Sequence, residues 1–107
     1  MRIEYDRGGV KEPGGNFMIG MLAFSKAGHD RQTVYMIIEE EAEYVYLCDG
    51  RLKTVEHPKK KNRKHIQPIK KAVDSTVREK LLQKQPVRNE EIKRVIKAFY
   101  AQGGRNV

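Results

Sequence analysis

Apolar residues recur along this chain with two different periods. Asn16 to Phe24 (NFMIGMLAF) is apolar enough for a buried strand. Thr33 to Glu39 (TVYMIIE) and Glu43 to Cys48 (EYVYLC) carry the β-branched and aromatic residues that suit a pleated, half-buried surface. Ser25 to Gln32 (SKAGHDRQ) has turn composition, and Glu39, Glu40, Glu41 and Glu43 mark an acidic turn between the second and third strands. Asp49-Gly50 then reads as a type I′ hairpin, in which both central residues need positive φ. Such a hairpin would set Cys48 opposite Arg51, Leu47 opposite Leu52 and Val45 opposite Thr54. Val45, Leu47 and Leu52 would face the core, and Tyr44, Tyr46, Cys48, Arg51 and Lys53 the other side. Lys64 to Pro68 (KHIQP) has the pattern of a last short strand.

A helical period follows. Asp74 or Thr76 can cap a first helix, Thr76 and Glu79 have capping-box spacing, Val77, Leu81 and Leu82 form its apolar stripe, and Pro86 stops it. Asn89 is a second N-cap, with Glu90 and Glu91 in the first turn where the helix dipole favours them. Ile92, Val95, Ile96, Phe99 and Tyr100 recur at three- and four-residue spacing, and Gly103-Gly104 closes the helix. The pattern divides the chain into a flexible, Gly/Pro-rich N-terminal extension (1–16), a β unit (17–70) and a C-terminal helical hairpin (71–107). Its fold class is mainly β with α.

Length and charge narrow this further. A chain of 107 residues with 38% apolar content supports one modest core. No stretch approaches the roughly 20 apolar residues of a membrane span, and MRIEYDRGG has no secretory h-region. The lone Cys48 cannot form an internal disulfide, which fits a reducing, cytoplasmic location. Net charge is +8. Residues 51–71 carry nine Lys or Arg against a single Glu56, so this segment alone holds an excess equal to that of the whole chain. Its centre, HPKKKNRKH (His57 to His65), is internal and bounded by Pro58 and Pro68. Concentrated positive charge of this kind suits a polyphosphate strand, whose counterions it releases on binding. The tyrosines beside the cations suit stacked bases. The acidic turn would form an opposite pole that orients the approach. Cys48, His57 and His65, with His29 elsewhere, match no compact zinc-site spacing, so no metal is expected. No catalytic constellation and no phosphate or dinucleotide loop is present, so neither an enzyme nor a cofactor is expected.

Ile19 to Ile38 (IGMLAFSKAGHDRQTVYMII) resembles a KOW motif: a strand, an AG-x-D turn and a second apolar strand. The continuation DGRLKTVEHPKKKNRKHIQP is similar to that of bacterial KOW-domain RNA-binding proteins, which in turn resemble the L14e-type proteins of archaeal and eukaryotic large ribosomal subunits. The resemblance spans about Ile19 to Pro68. It implies a small SH3-like β-barrel that binds RNA, with ribosomal RNA of the large subunit as the leading partner. Ribosomal proteins are further candidate partners, no membrane is expected because no amphipathic helix with bulky apolar anchors accompanies the basic run, and the expected state is a monomer. It also implies a KOW turn built on Ser25, Gly28 and Asp30. One position departs: Gln32 stands where many KOW turns have a second glycine. The residues expected to contact RNA are Lys26, His29, Arg31, Arg51, Lys53, Lys59, Lys60, Lys61, Arg63, Lys64 and His65. The other reading, from a different class, is a protein-interaction module that grips an acidic partner or RNA polymerase, like the KOW domains of transcription elongation factors. Non-specific DNA binding is a third.

Overall fold

The computed structural model describes residues 17–26 and 33–104. The expected N-terminal extension lies outside these residues. Chain order is β1 (Met21–Ser25), β2 (Val34–Glu40), β3 (Tyr44–Cys48), β4 (Lys59–Asn62), a 3-10 turn (Arg63–His65), β5 (Ile66–Val73), α1 (Ser75–Leu82) and α2 (Asn89–Ala101). The strands form one antiparallel sheet ordered β4-β3-β2-β1-β5. The result is a small, β-rich mixed domain. The hydrogen-bonded ladder ends at β4 and β5, so the sheet is open.

All five residues of β1 are buried, so both faces of the sheet are covered at its centre. Alternation sends Leu22, Val34, Met36 and Cys48 to one face, where Val77 of α1 and Ile92 and Ile96 of α2 pack on them. Ala23, Tyr35, Ile37, Val45 and Leu47 take the other face, with Met18 and Ile66. Among the described residues no helical side chain belongs to this second cluster, and Ile37, Val45 and Leu47 are fully buried in it. Each side chain so buried contributes roughly 1.5–3 kcal/mol relative to exposure.

The first strand starts later than its apolar run because Gly20 turns the chain at φ +86°. Its N–H donates to the Ile37 carbonyl (2.8 Å), and α1 rests directly on this turn. The Arg78 guanidinium donates to the carbonyls of Ile19 (2.6 Å) and Phe17 (3.4 Å). The helices begin and end much as their stripes predict. Asp74 caps α1 by accepting from the Thr76 N–H (3.3 Å), and Gly103 at φ +88° closes α2, with the Gly104 N–H bonded to the Phe99 carbonyl. Glu91 accepts from the Arg88 N–H (3.1 Å) at the start of α2 and from Lys80 Nζ (2.8 Å) on α1, which ties the two helices together. The Lys80 hydrogen bond holds the Glu91 carboxyl below its ordinary value.

Three expectations are corrected. Asp49-Gly50 is not a two-residue hairpin. Gly50 has positive φ (+79°) but Asp49 does not, and Asp49 Oδ1 instead accepts from the N–H groups of Arg51 and Lys53 (both 2.9 Å). Residues 49–58 form a wide loop held by α2: Asn89 Oδ1 accepts from the Val55 N–H (2.8 Å) and Asn89 Nδ2 donates to Glu56 (3.2 Å). Asn89 thus staples the loop and is not the N-cap, which falls at Arg88. The predicted pairs of Cys48, Leu47 and Val45 with Arg51, Leu52 and Thr54 do not form, and Leu52 is 83% exposed rather than core. The partner of β3 is the basic run itself, with Leu47 opposite Lys59 and Tyr44 opposite Asn62.

Two outcomes follow from this packing. A methyl group on Gly20 would sit 2.6 Å from Arg78 Cβ and 2.9 Å from its Cα, in a backbone region that L-residues resist. Gly20→Ala should lose about 2–4 kcal/mol in urea denaturation, from the left-handed backbone and the overpacking together. Burial pushes the Cys48 thiol up to about 11. Ellman's reagent at pH 8 should leave the folded protein unmodified and titrate one thiol once denaturant is added.

Candidate nucleic-acid interface

β4 is an edge strand made of Lys59, Lys60, Lys61 and Asn62. Directly opposed residues of an antiparallel pair share a face. Lys59 and Lys61 lie opposite Leu47 and Val45 and so flank the inner cluster, while Lys60 lies opposite Tyr46 on the outer face. The three ammonium groups therefore leave the strand on both sides of the sheet rather than as one flat patch. Their stems bury apolar surface while the charges reach the rim. Lys60 Nζ stands 4.4 Å from the ring centroid of Tyr44, and Lys59 Nζ stands 5.7 Å from that of Tyr35. Tyr44 and Tyr46 do take the outer face, half-buried, but neither ring is bare. Lys60 covers Tyr44, and the Tyr46 hydroxyl donates to Glu41 Oε2 (3.1 Å). Loss of exposure and the Glu41 carboxylate both raise the Tyr46 hydroxyl above its ordinary value.

Beyond β4 the 3-10 turn places two further cations and a histidine in different situations. Asn62 Oδ1 accepts from the Lys64 N–H (3.0 Å) and so fixes the turn. The side chains of Lys64 and His65 are exposed. Arg63 is committed elsewhere: its Nη1 donates to Glu40 Oε2 (2.8 Å) and to the Glu41 carbonyl (2.9 Å), and its N–H donates to the Glu43 carbonyl (2.9 Å). The Glu40 side chain is 1% exposed and its other oxygen accepts from the Met18 N–H (2.8 Å). The guanidinium thus neutralises a buried carboxylate. The acidic turn is also not an opposite pole, because it abuts the end of the basic run through Arg63.

Glu40 was not singled out from the sequence, and a bulge explains why. Period-two alternation from Tyr35 and Ile37 points Glu39 inward. A register shift between Ile37 and Glu39 places Glu39 opposite Tyr46 on the outer face and Glu40 opposite Val45 on the inner one. The only available signal was a run of three glutamates ending an apolar strand.

The segment leading into the turn expected after β1 lies beside this region. Ser25 ends β1, buried, opposite Ile66, and the Lys26 N–H donates to the His65 carbonyl (2.7 Å). Lys26 is exposed. Gly28, His29, Asp30 and Arg31 lie outside the described residues. Arg51 and Lys53 do not join. They follow Cys48 at one end of β3, whereas the 3-10 turn lies past Asn62 at the other, about 14 Å of strand away. Their loop packs against α2, and a methyl group on Gly50 would meet the Asn89 carbonyl at 2.6 Å. Lys26, Lys64 and His65 therefore meet at the 3-10 turn, Lys59, Lys60 and Lys61 are spread along β4 over both faces of the sheet, Arg51 and Lys53 lie in the loop beyond the other end of β3, and Arg63 pairs with Glu40.

Among the described residues, no three His, Cys, Asp or Glu side chains gather in a metal-binding arrangement, and no helix is long and apolar enough to cross a membrane. No family model matches the chain, and no curated protein matches it.

Removing Arg63 leaves the Glu40 carboxylate with the Met18 N–H and a net buried charge. Arg63→Ala should destabilise by about 1.5–3 kcal/mol, the range for hydrogen bonds to charged groups, measured by urea denaturation at pH 7.

Proposed function

We propose that this chain is a non-catalytic RNA-binding protein that holds the phosphates of structured RNA, ribosomal RNA first among them, along β4, the 3-10 turn and the shoulder of the KOW turn. One observation carries the reading. The Lys26–His65 hydrogen bond brings cations from two stretches some 40 residues apart to the same place as the lysine edge strand. Local sequence alone would keep them separate. Lysine side chains at a strand edge suit a flexible polyphosphate, because ammonium groups neutralise phosphate without reading bases. The half-covered tyrosines favour a backbone contact over base stacking.

The same Lys edge would also discourage pairing with another chain, since charged edge strands resist edge-to-edge association. That role needs no RNA. What favours the RNA reading is the surplus beyond the strand: Lys26, Lys64 and His65 guard no ladder, yet they stand next to it. An SH3-like KOW barrel is the architecture we infer. β1 pairs with both β2 and β5, and only the three residues Arg63–His65 link the two edge strands β4 and β5, an arrangement that suits a small barrel. A single reduced, buried thiol suits the cytoplasm.

If five to seven phosphates are neutralised, log K for RNA should fall against log salt with a slope of about −4 to −6. Lys61→Glu with Lys64→Glu should shallow that slope by about 2 while leaving the urea midpoint close to wild type. A flat salt response would remove the proposal in favour of a protein-interaction module. Equal affinity for duplex DNA of the same length would replace RNA selectivity with general polyanion binding.

A further inference from the structure

On the helical side of the sheet, away from β4, a groove of about 680 Å3 runs between β5 and the C-terminal half of α2. That volume lies within the range of ligand-binding clefts. Leu22, Ile69, Ala72, Val95 and Ala98 form its aliphatic part, Asp74, Ser75 and Gln102 add polar groups, and Lys71 on β5 and Arg94 on α2 also line it. Val73, which also lines it, is 37% exposed.

Three features bear on what the groove takes. The first is the β5 backbone. Met21 pairs with Val73 and Leu22 with Ile69, so Lys70, Lys71 and Ala72 bulge out with no partner on β1. A bulge re-aims side chains, and here it turns Lys71 into the groove. The second is charge. Among the described residues, the side chains of Lys71 and Arg94 make no hydrogen bond or close ion pair, although Arg94 helps lower the Glu91 carboxyl, so the groove sets two cations against one carboxylate, that of Asp74, which accepts from the Thr76 N–H. The third is the aromatic ring. Phe99 packs edge-on against Phe24 (6.2 Å) and lies so close to Gly104 that a methyl group there would stand 2.4 Å from the ring. Phe99 is therefore not a free stacking platform, and the open surface of the groove suits branched aliphatic side chains better than bases.

We infer that the β5–α2 groove is a docking site for an acidic, leucine-rich peptide segment of a partner protein, with its aliphatic side chains on the floor and its carboxylates against Lys71 and Arg94. The inference does not depend on the RNA reading, because it uses a different face and none of the β4 lysines. It gives the domain two interfaces, one cationic edge for nucleic acid and one amphipathic groove for protein.

The test is fluorescence anisotropy of the full chain with a fluorescein-labelled peptide of alternating Leu and Glu, beside versions with Ser for Leu and with Lys for Glu. The Leu-Glu peptide should titrate to saturation, and both altered peptides should bind at least about tenfold more weakly, a difference of about 1.4 kcal/mol. Ala98→Trp fills the groove from an exposed helix position and should weaken binding at least about tenfold. Its urea midpoint and RNA affinity should stay at wild-type values. Lys71→Glu with Arg94→Glu should reverse the preference toward the Lys-Leu peptide. The inference is overturned if the Leu-Glu peptide gives no saturable binding, if Ala98→Trp binds it as wild type does, or if an RNA oligonucleotide displaces it competitively. It is overturned equally if the groove proves to mediate self-association, seen as concentration-dependent dimerisation that Ala98→Trp abolishes.

Discussion

Water must be kept off both faces of β1 at once. A five-residue strand whose every side chain is buried needs a cover on each side. The two helices among the described residues cover one face, where Val77, Ile92 and Ile96 complete the outer cluster. On the other face Met18, Met21 and Ile66 pack with Ala23, Tyr35, Ile37, Val45 and Leu47. The remaining architecture follows from this. The turn at Gly20 must admit α1 without a side chain in the way, the 49–58 loop must lie against α2, and the chain must cross quickly from β4 to β5 through a 3-10 turn.

The open sheet has two edges, β4 and β5, and both carry lysines. β4 carries three lysines, and β5 carries Pro68, Lys70 and Lys71. Proline and lysine on edge strands both resist the addition of another strand. The cationic segment therefore serves the fold as well as any ligand. Arg63 makes the point most sharply. In the sequence it is one more cation in a run of them, yet in the fold it is the counter-ion of Glu40, which in turn holds the Met18 N–H at the entrance to the inner cluster. An arginine is suited to this because its planar guanidinium can donate to the carboxylate and the Glu41 carbonyl together. A lysine there would offer a point charge without that fork.

Much of the element content was legible in the chain. The strands at Val34–Glu40 and Tyr44–Cys48, the faces of Val45 and Leu47 against Tyr44 and Tyr46, and both helices with the Asp74 cap and the Gly103 stop follow from local period and capping chemistry. These features are local: each depends on residues within a few positions of one another. The candidate site was legible as composition, since the surplus of Lys and Arg in residues 51–71 needs no fold to be counted.

What the residues alone determined, then, was period, caps and charge density. Three matters were decided only by contacts between distant segments. Asp49-Gly50 has the strongest local turn chemistry in the chain, but Asn89, some 40 positions away, holds the loop open and gives the place opposite β3 to the lysines. The bulge in β2 exchanged the roles of Glu39 and Glu40, because a single extra residue reverses every face beyond it. And which of the cations would stand together, and which would be paired internally, was set by the strand order and by the short turn that joins β4 to β5. Electrostatic partners are chosen by distance in space, and a count along the chain contains no such distance.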